Sequence, residues 1–248
     1  MSGHSKWATI KHKKGAADKA RGKLFAKLAR QIEVAARQGG GDIDSNATLR
    51  TMVQKAKGAQ MTKDAIDRAI KRGIGENDGA NYENVVYEGY APGGVALLVE
   101  VLTDNRNRTA SDVRNAFSKH GGSLAEPGSV GWQFSRRGIV LVDGAMSEDD
   151  ALAAALEAGA DDMERDGDQW RILTDPSFVW DVKEALERAG IPVQAAESTM
   201  VSSTTVDVDD PEDARQVLRI MDALEDNDDV QDVFANFDID EKIMQEIG

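Results

Sequence analysis

No cysteine occurs anywhere in the 248 residues, and that absence removes thiolate nucleophiles, thiolate metal sites and disulfides together. Folding needs no oxidation, which fits a reducing compartment. Histidine is nearly as scarce, with only His4, His12 and His120 available as imidazole bases. Serine-type catalysis needs a base held beside its nucleophile. His4 and His12 lie in an N-terminal stretch without helical or strand period, which cannot hold reacting atoms to the tolerance that catalysis demands. They read as hydrogen-bond donors or stacking groups near phosphate, and His120, just before Gly121-Gly122, as a helix-terminal residue facing the macrodipole. There is no His-Glu-x-x-His, no EF-hand loop, no P-loop and no Gly-x-Gly-x-x-Gly. The acidic runs Asp207 to Asp213 and Glu225 to Asp229 read as solvated edges or helix caps. The expectation is a protein that is not an enzyme, with no cofactor and no metal site.

Long apolar runs are also missing. The longest, Val95 to Val101, is interrupted by Glu100 and far too short to span a bilayer. No apolar segment of the kind that forms a secretory signal follows the opening residues. No membrane partner is expected, and the cytoplasm is the expected address.

The charge is abundant but unevenly placed. A formal net charge of −14 argues at first against a polyanionic partner. Residues 1–75, however, hold 17 Lys and Arg against 6 Asp and Glu, a net of +11, while residues 76–248 hold 13 against 38, a net of −25. Affinity for a phosphate backbone follows the local cluster of cations, which releases condensed counterions, and not the whole-chain charge. The acidic remainder would confine polyanion contact to one end.

Along the chain, Lys6, Lys11, Lys13 and Lys14 crowd around Trp7 and His12 in what reads as a basic arm. Trp7 could stack on a base or dock on the first helix. From Ala16 to Arg37, Leu24, Phe25, Leu28, Ala29, Ile32 and Ala36 recur at helical steps, and Gly39-Gly40-Gly41 ends the pattern. A second helix is expected from Asn46 to Lys57, and a third from an N-cap at Thr62 to Gly73.

Past a glycine-rich linker the grammar alternates strands and helices. Strands are expected at Val85 to Tyr87 and Val95 to Leu102, a helix beginning at Thr109 with Asp112 three residues on, and strands at Val130 to Phe134 and Ile139 to Val142 separated by Ser135-Arg136-Arg137-Gly138. There follow a helix capped by Ser147 and Asp150, a strand at Trp170 to Leu173, a helix ending at Gly190, a strand at Val193 to Val201, and a terminal β-α-β led by Val206, Asp210-Pro211 and Val233 to Phe237. The last β-α-β has too few strands to stand alone, so it is expected to complete the sheet begun at Tyr82.

The least ordinary feature of the acidic body is Thr103-Asp104-Asn105-Arg106-Asn107-Arg108-Thr109, where two arginines meet the start of a helix. Free backbone N–H groups and a positive dipole end favour an anion there. Equally, Asp104 and Asn105 could only shape the turn, with Thr109 as the cap.

The opening Gly3-His4-Ser5-Lys6-Trp7-Ala8-Thr9-Ile10-Lys11-His12-Lys13-Lys14, the block from Glu88 through Thr109, and Gly128 through Phe134 resemble the YebC/PmpR family over essentially the whole chain. Ala91 stands where that family usually has glycine, and Asn46-Ala47 where it often has Asn-Pro. The resemblance implies three domains, a helical one and two α/β domains with the third inserted into the second. It implies a DNA-binding transcriptional regulator for bacterial members, translational activation for mitochondrial relatives, and ribosome association with relief of stalling on proline-rich stretches.

The expected fold is therefore α+β, an N-terminal helical domain followed by two small α/β sandwich-like domains. The boundaries fall at 1–75, at 82–137 with 204–241, and at 138–203. The expected function is nucleic-acid binding in the regulation of gene expression, to DNA or to ribosomal RNA, with the ribosome as a further partner and the protein as a monomer. The rival is an acidic protein-interaction scaffold. The candidate contacts are Lys6, Trp7, Lys11, His12, Lys13, Lys14, Lys19, Arg21, Lys23, Lys27, Arg106 and Arg108. No clear helix-turn-helix signature is visible.

Overall fold

The computed structural model describes residues 17–75 and 82–247. They form two compact units, one of Trp132–Thr205 and the other of the described residues up to Gly131 together with those from Val206 onward.

The larger unit begins with three helices, α1 (Ala17–Gly39), α2 (Ala47–Gly58) and α3 (Lys63–Ile74). Leu28, Ile32, Leu49, Val53, Ile66 and Ala69, spaced to share one face of each helix, are buried against one another. Asn46 organises the first turn between them. Its side-chain oxygen caps α2 by accepting from the backbone of Leu49 at 3.0 Å, while its amide donates to the carbonyls of Ala35 and Gly40. Helices α1 and α3 cross so closely that a Cβ on Gly73 would stand 2.3 Å from the carbonyl oxygen of Glu33. Helix α2 ends in a Schellman motif, Met61 donating to the carbonyl of Ala56 and Gln60 to that of Lys57. The residue in the left-handed position is Gln60, at φ 63°, where glycine would be the usual choice.

The same unit continues into an antiparallel sheet of order β3-β1-β2-β9, made of β1 (Glu83–Tyr90), β2 (Ala96–Thr103), β3 (Ser123–Leu124) and β9 (Val230–Ala235). The chain's last segment thus returns to pair β9 with β2, Leu97 opposite Ala235 and Val99 opposite Val233. Leu97, Val99 and Val101 point into a core shared with Val113 and Phe117 of α4 (Arg106–Ser118) and Val217, Ile220 and Met221 of α7 (Pro211–Glu225). The alternate residues Leu98 and Leu102 are buried as well, so β2 is covered on both faces. Short strands β8 (Val206–Asp207) and β10 (Phe237–Asp238) pair in parallel, and α8 (Glu241–Ile247) closes the chain. Glu88 pins the loop after β3, accepting from the backbone of Gly128, Val130 and Gly131 at 2.8, 2.6 and 2.7 Å. Burial would raise its pKa, but those three donors outweigh it and hold the carboxyl below its ordinary value.

The smaller unit is a second antiparallel sheet, of order β5-β6-β4-β7, with α5 (Glu148–Glu157) and α6 (Val179–Arg188) contributing to one core with Val140, Val142, Trp170 and Ile172. Its strands are β4 (Phe134–Asp143), β5 (Asp162–Asp166), β6 (Gln169–Thr174) and β7 (Val193–Ser202).

The expected α+β class, a helical region followed by antiparallel sheets with helices packed on them, is the one observed, and several elements differ in detail. The helix expected to begin at Thr109 starts a turn earlier at Arg106, with Asn105 as N-cap accepting from the backbone of Arg108 at 3.1 Å. Thr109 is buried and serves the interior instead. Of the two strands expected on either side of Ser135 to Gly138, the first is not formed, since Gly131–Gln133 make a 3-10 turn. Phe134 and the polar Ser135 to Gly138 join the second in one continuous β4, paired with β7 from Phe134 to Val142. Gly138 is there for close approach, since a Cβ would meet Thr174 at 2.6 Å. Strand β5 is acidic and went unforeseen, and the expected last strand Val233 to Phe237 divides into β9 and β10.

Candidate nucleic-acid interface

Helix α1 carries its cations on two sides. One row points at the C-terminal end of α7 and the turn that follows, where helix-end carbonyls and aspartates gather. Lys23 Nζ lies 2.8 Å from the Asp226 carboxylate, and Lys27 Nζ donates to the carbonyl of Glu225 at 2.8 Å. Cations placed on the last carbonyls of a helix satisfy groups that have no intrahelical partner and complement the negative dipole end. The hydrogen bond to Asp226 raises the Lys23 pKa.

At the end of that turn stands Asp229, whose side chain is 9 % exposed. It receives Arg108 at 2.7 Å, Thr109 Oγ1 at 2.7 Å, Arg30 at 3.2 Å and Thr103 Oγ1 at 3.3 Å. Burial works to raise its pKa. Hydrogen bonds from Arg108 and Thr109 and the charges of Arg108 and Arg30 outweigh that, and the carboxyl sits below its ordinary value. Arg108 is held above its own ordinary value by Asp229 first and then by Asp104, 2.9 Å away. Arg30 also stacks on the Tyr82 ring, 5.0 Å from its centroid, and Lys55 of α2 pairs with Asp232 of β9 at 3.0 Å. The helical layer is thus clamped to the acidic sheet by ion pairs on one side.

The other side of the helical layer is different. Lys57 in the last turn of α2, and Lys63, Arg68 and Lys71 on α3, are exposed, and their side chains make no ion pair or hydrogen bond among the described residues. Arg72 and Arg37, nearby, share Glu33 at 3.2 and 3.1 Å. Arg68 and Lys71 lie about one helical turn apart on the face opposite Ile66, Ala69 and Ile70.

The residues expected to contact nucleic acid therefore divide. Lys6, Trp7, Lys11, His12, Lys13 and Lys14 lie outside the described residues, and Lys19 belongs to α1 with its side chain likewise outside them. Arg21 is exposed on α1. Lys23, Lys27 and Arg108 are engaged by the protein's own carboxylates and carbonyls, so their charge is committed internally. Arg106 is exposed, and its carbonyl accepts from the Tyr87 hydroxyl at 3.3 Å. Lys57, Lys63, Arg68 and Lys71 were not singled out by sequence. The signal available was their place opposite the apolar stripe of α2 and α3, which marks them as outward-facing.

Among the described residues no group of three or more His, Asp or Glu side chains could hold a metal ion, and no helix is long and apolar enough to cross a membrane.

A three-helix basic layer docked on an α+β body with an inserted second sheet defines a class that other proteins share. Residues 5–76 match the TACO1/YebC protein N-terminal domain, and residues 82–237 match the TACO1/YebC second and third domain. The chain belongs to the TACO1/YebC family. It is 58 % identical to a protein of Rubrobacter xylanophilus over the whole of both chains, and 52 % identical to one of Geobacter sulfurreducens, again over the whole of both. Each of these relatives is described as a probable transcriptional regulatory protein. A crystal structure of a conserved hypothetical protein from Aquifex aeolicus has the same fold, with a TM-score of 0.78 and 47 % identity over 92 % of this chain and 94 % of that one.

Proposed function

We propose that this protein is a nucleic-acid-binding regulator of gene expression that engages duplex DNA through the open side of its helical layer. The observation that carries the reading is the group of unpaired, exposed cations Lys57, Lys63, Arg68 and Lys71, set on the one part of the chain whose net charge is positive. Such cations bind phosphate by releasing condensed counterions. The acidic body repels the same polyanion and so orients the encounter.

Duplex DNA is favoured by the way α2 and α3 are joined. Two helices of 12 residues each are linked through residues 59–62, with a left-handed residue at Gln60, which is the connection length of helix-turn-helix proteins. The second of the two carries Arg68 and Lys71 outward, the place from which such proteins meet a groove. The descriptions of the relatives point the same way.

Parallel salt titrations of binding to duplex DNA, structured RNA and intact ribosomes test the reading. Affinity that falls steeply with salt and is strongest for duplex DNA is expected. Salt-insensitive binding would contradict phosphate contact, and a clear preference for RNA or ribosomes would move the target from transcription to translation.

A further inference from the structure

Helix α5 of the smaller unit is packed inside out. Its core-facing positions are alanines, with Ala151 and Ala155 buried, while Leu152 is 40 % and Leu156 is 57 % exposed. A helix on one face of a sheet normally buries its largest apolar side chains and leaves small or polar ones outside. Here the leucines stand one turn apart on the outer face, with exposed Ala153 beside them. The segment itself carries one sign of charge, with Arg165 and Arg137 meeting its two ends at Gly144 and Asp161. Glu148, Asp149, Asp150 and Glu157 are all exposed, and no Lys, Arg or His occurs from Asp143 to Met163.

We infer that the outer face of α5 is a docking surface for a basic, amphipathic helical segment of a partner protein. The leucine pair supplies a small apolar ridge, and the carboxylates on either side match cations flanking an apolar stripe on the occupant, as in other helix-to-helix recognition. The charge argues against the other occupants. A second copy of this face would set like charges against each other, and nucleic acid or an anionic membrane would be repelled. The surface lies on a different unit from the cations discussed above and does not depend on them.

The test uses the full chain and a fluorescently labelled synthetic amphipathic helix with leucines on one face and lysines on the other, beside a scrambled peptide of equal composition. Saturable binding is expected, with nuclear magnetic resonance shifts confined to α5. Leu156→Asp should weaken it at least tenfold, and so should Asp149→Lys combined with Glu157→Lys. Both leucine and carboxylates are exposed, so a circular dichroism melt matching the parent checks that the variants fold. The inference is overturned if the scrambled peptide binds as well, if Leu156→Asp binds unchanged, or if the shifts fall on the turn after α7. It is also overturned if sedimentation reveals a dimer that Leu156→Asp disperses, which would make the occupant a second copy.

Discussion

Arg108 and Asp229 meet at 2.7 Å, joining the first turn of α4 to the strand-leading turn after α7, and Arg30 of α1 reaches the same carboxylate at 3.2 Å. One buried aspartate therefore ties three separate pieces of chain. The loop from Thr103 to Thr109 looked in sequence like either an anion site or a turn. Its geometry is that of a turn built around an internal anion, since the anion that Arg108 holds is Asp229.

Replacing Asp229 by Asn should cost about 2–4 kcal/mol of stability, because Arg108 and two buried threonines lose their charged acceptor. The pH dependence has a definite sign. The folded-state pKa of Asp229 is lowered, so its contribution is complete above the unfolded value, about 3.9, and is lost as pH falls through the folded one. Thermal melts from pH 6 down to pH 2 should show a smaller acid-induced loss in the variant than in the parent. Curves that stay parallel throughout would mean Asp229 is not a stabilising charge.

Freeing the clamped cations should strengthen polyanion binding. Asp226→Asn and Asp232→Asn remove the partners of Lys23 and Lys55, both partly exposed pairs, so each should cost under about 1 kcal/mol of stability. If the released cations then reach phosphate, each should steepen the slope of log affinity against log salt by about 0.9. An unchanged slope would mean the clamp keeps its geometry without those carboxylates.

Gln60→Gly should stabilise the helical layer by about 0.5–1 kcal/mol. Glutamine occupies a left-handed position there, at φ 63°, that glycine adopts without steric cost. The Schellman bonds to Ala56 and Lys57 are backbone bonds and survive the change. Differential scanning calorimetry would read a higher Tm, and a lower one would show that the glutamine side chain makes up for the strain.

Ala47→Pro should raise stability by up to about 1 kcal/mol. Ala47 is the first residue of α2, where proline's fixed φ suits the helix and its missing N–H is not needed. Asn46 before it already has an extended backbone, φ −110° and ψ 94°, within about 30° of the range that a following proline favours. Urea titration gives the difference directly, and a lowered midpoint would mean the turn at Asn46 cannot accept the ring.

The elements most legible in the sequence were those with strong local grammar. Thr62, Ser147 and Asp210 cap helices where the pattern placed them, and the apolar stripes of α1 to α3 mark one core. The return of the last segment to the sheet begun at Glu83 followed from its having too few strands to stand alone. Strand β5 was illegible because Asp162, Glu164 and Asp166 carry no apolar alternation, and its place is set by pairing with β6. The polar Ser135-Arg136-Arg137-Gly138 imitates a turn, yet long-range pairing with β7 keeps it extended. For the site, charge totals located the basic region but not which cations face inward. Lys23 and Lys27 look as available in sequence as Arg68 and Lys71, and only the approach of the turn after α7 separates them.

The central claim is that the open cations of α2 and α3 carry the contact with nucleic acid. The most direct measurement is duplex-DNA affinity as a function of salt for the parent and for the fourfold variant Lys57→Ala, Lys63→Ala, Arg68→Ala, Lys71→Ala. The account predicts a weaker affinity and a salt slope shallower by up to about 3.6, about 0.9 for each phosphate contact removed. A variant that binds with the parent's affinity and the parent's slope would contradict it.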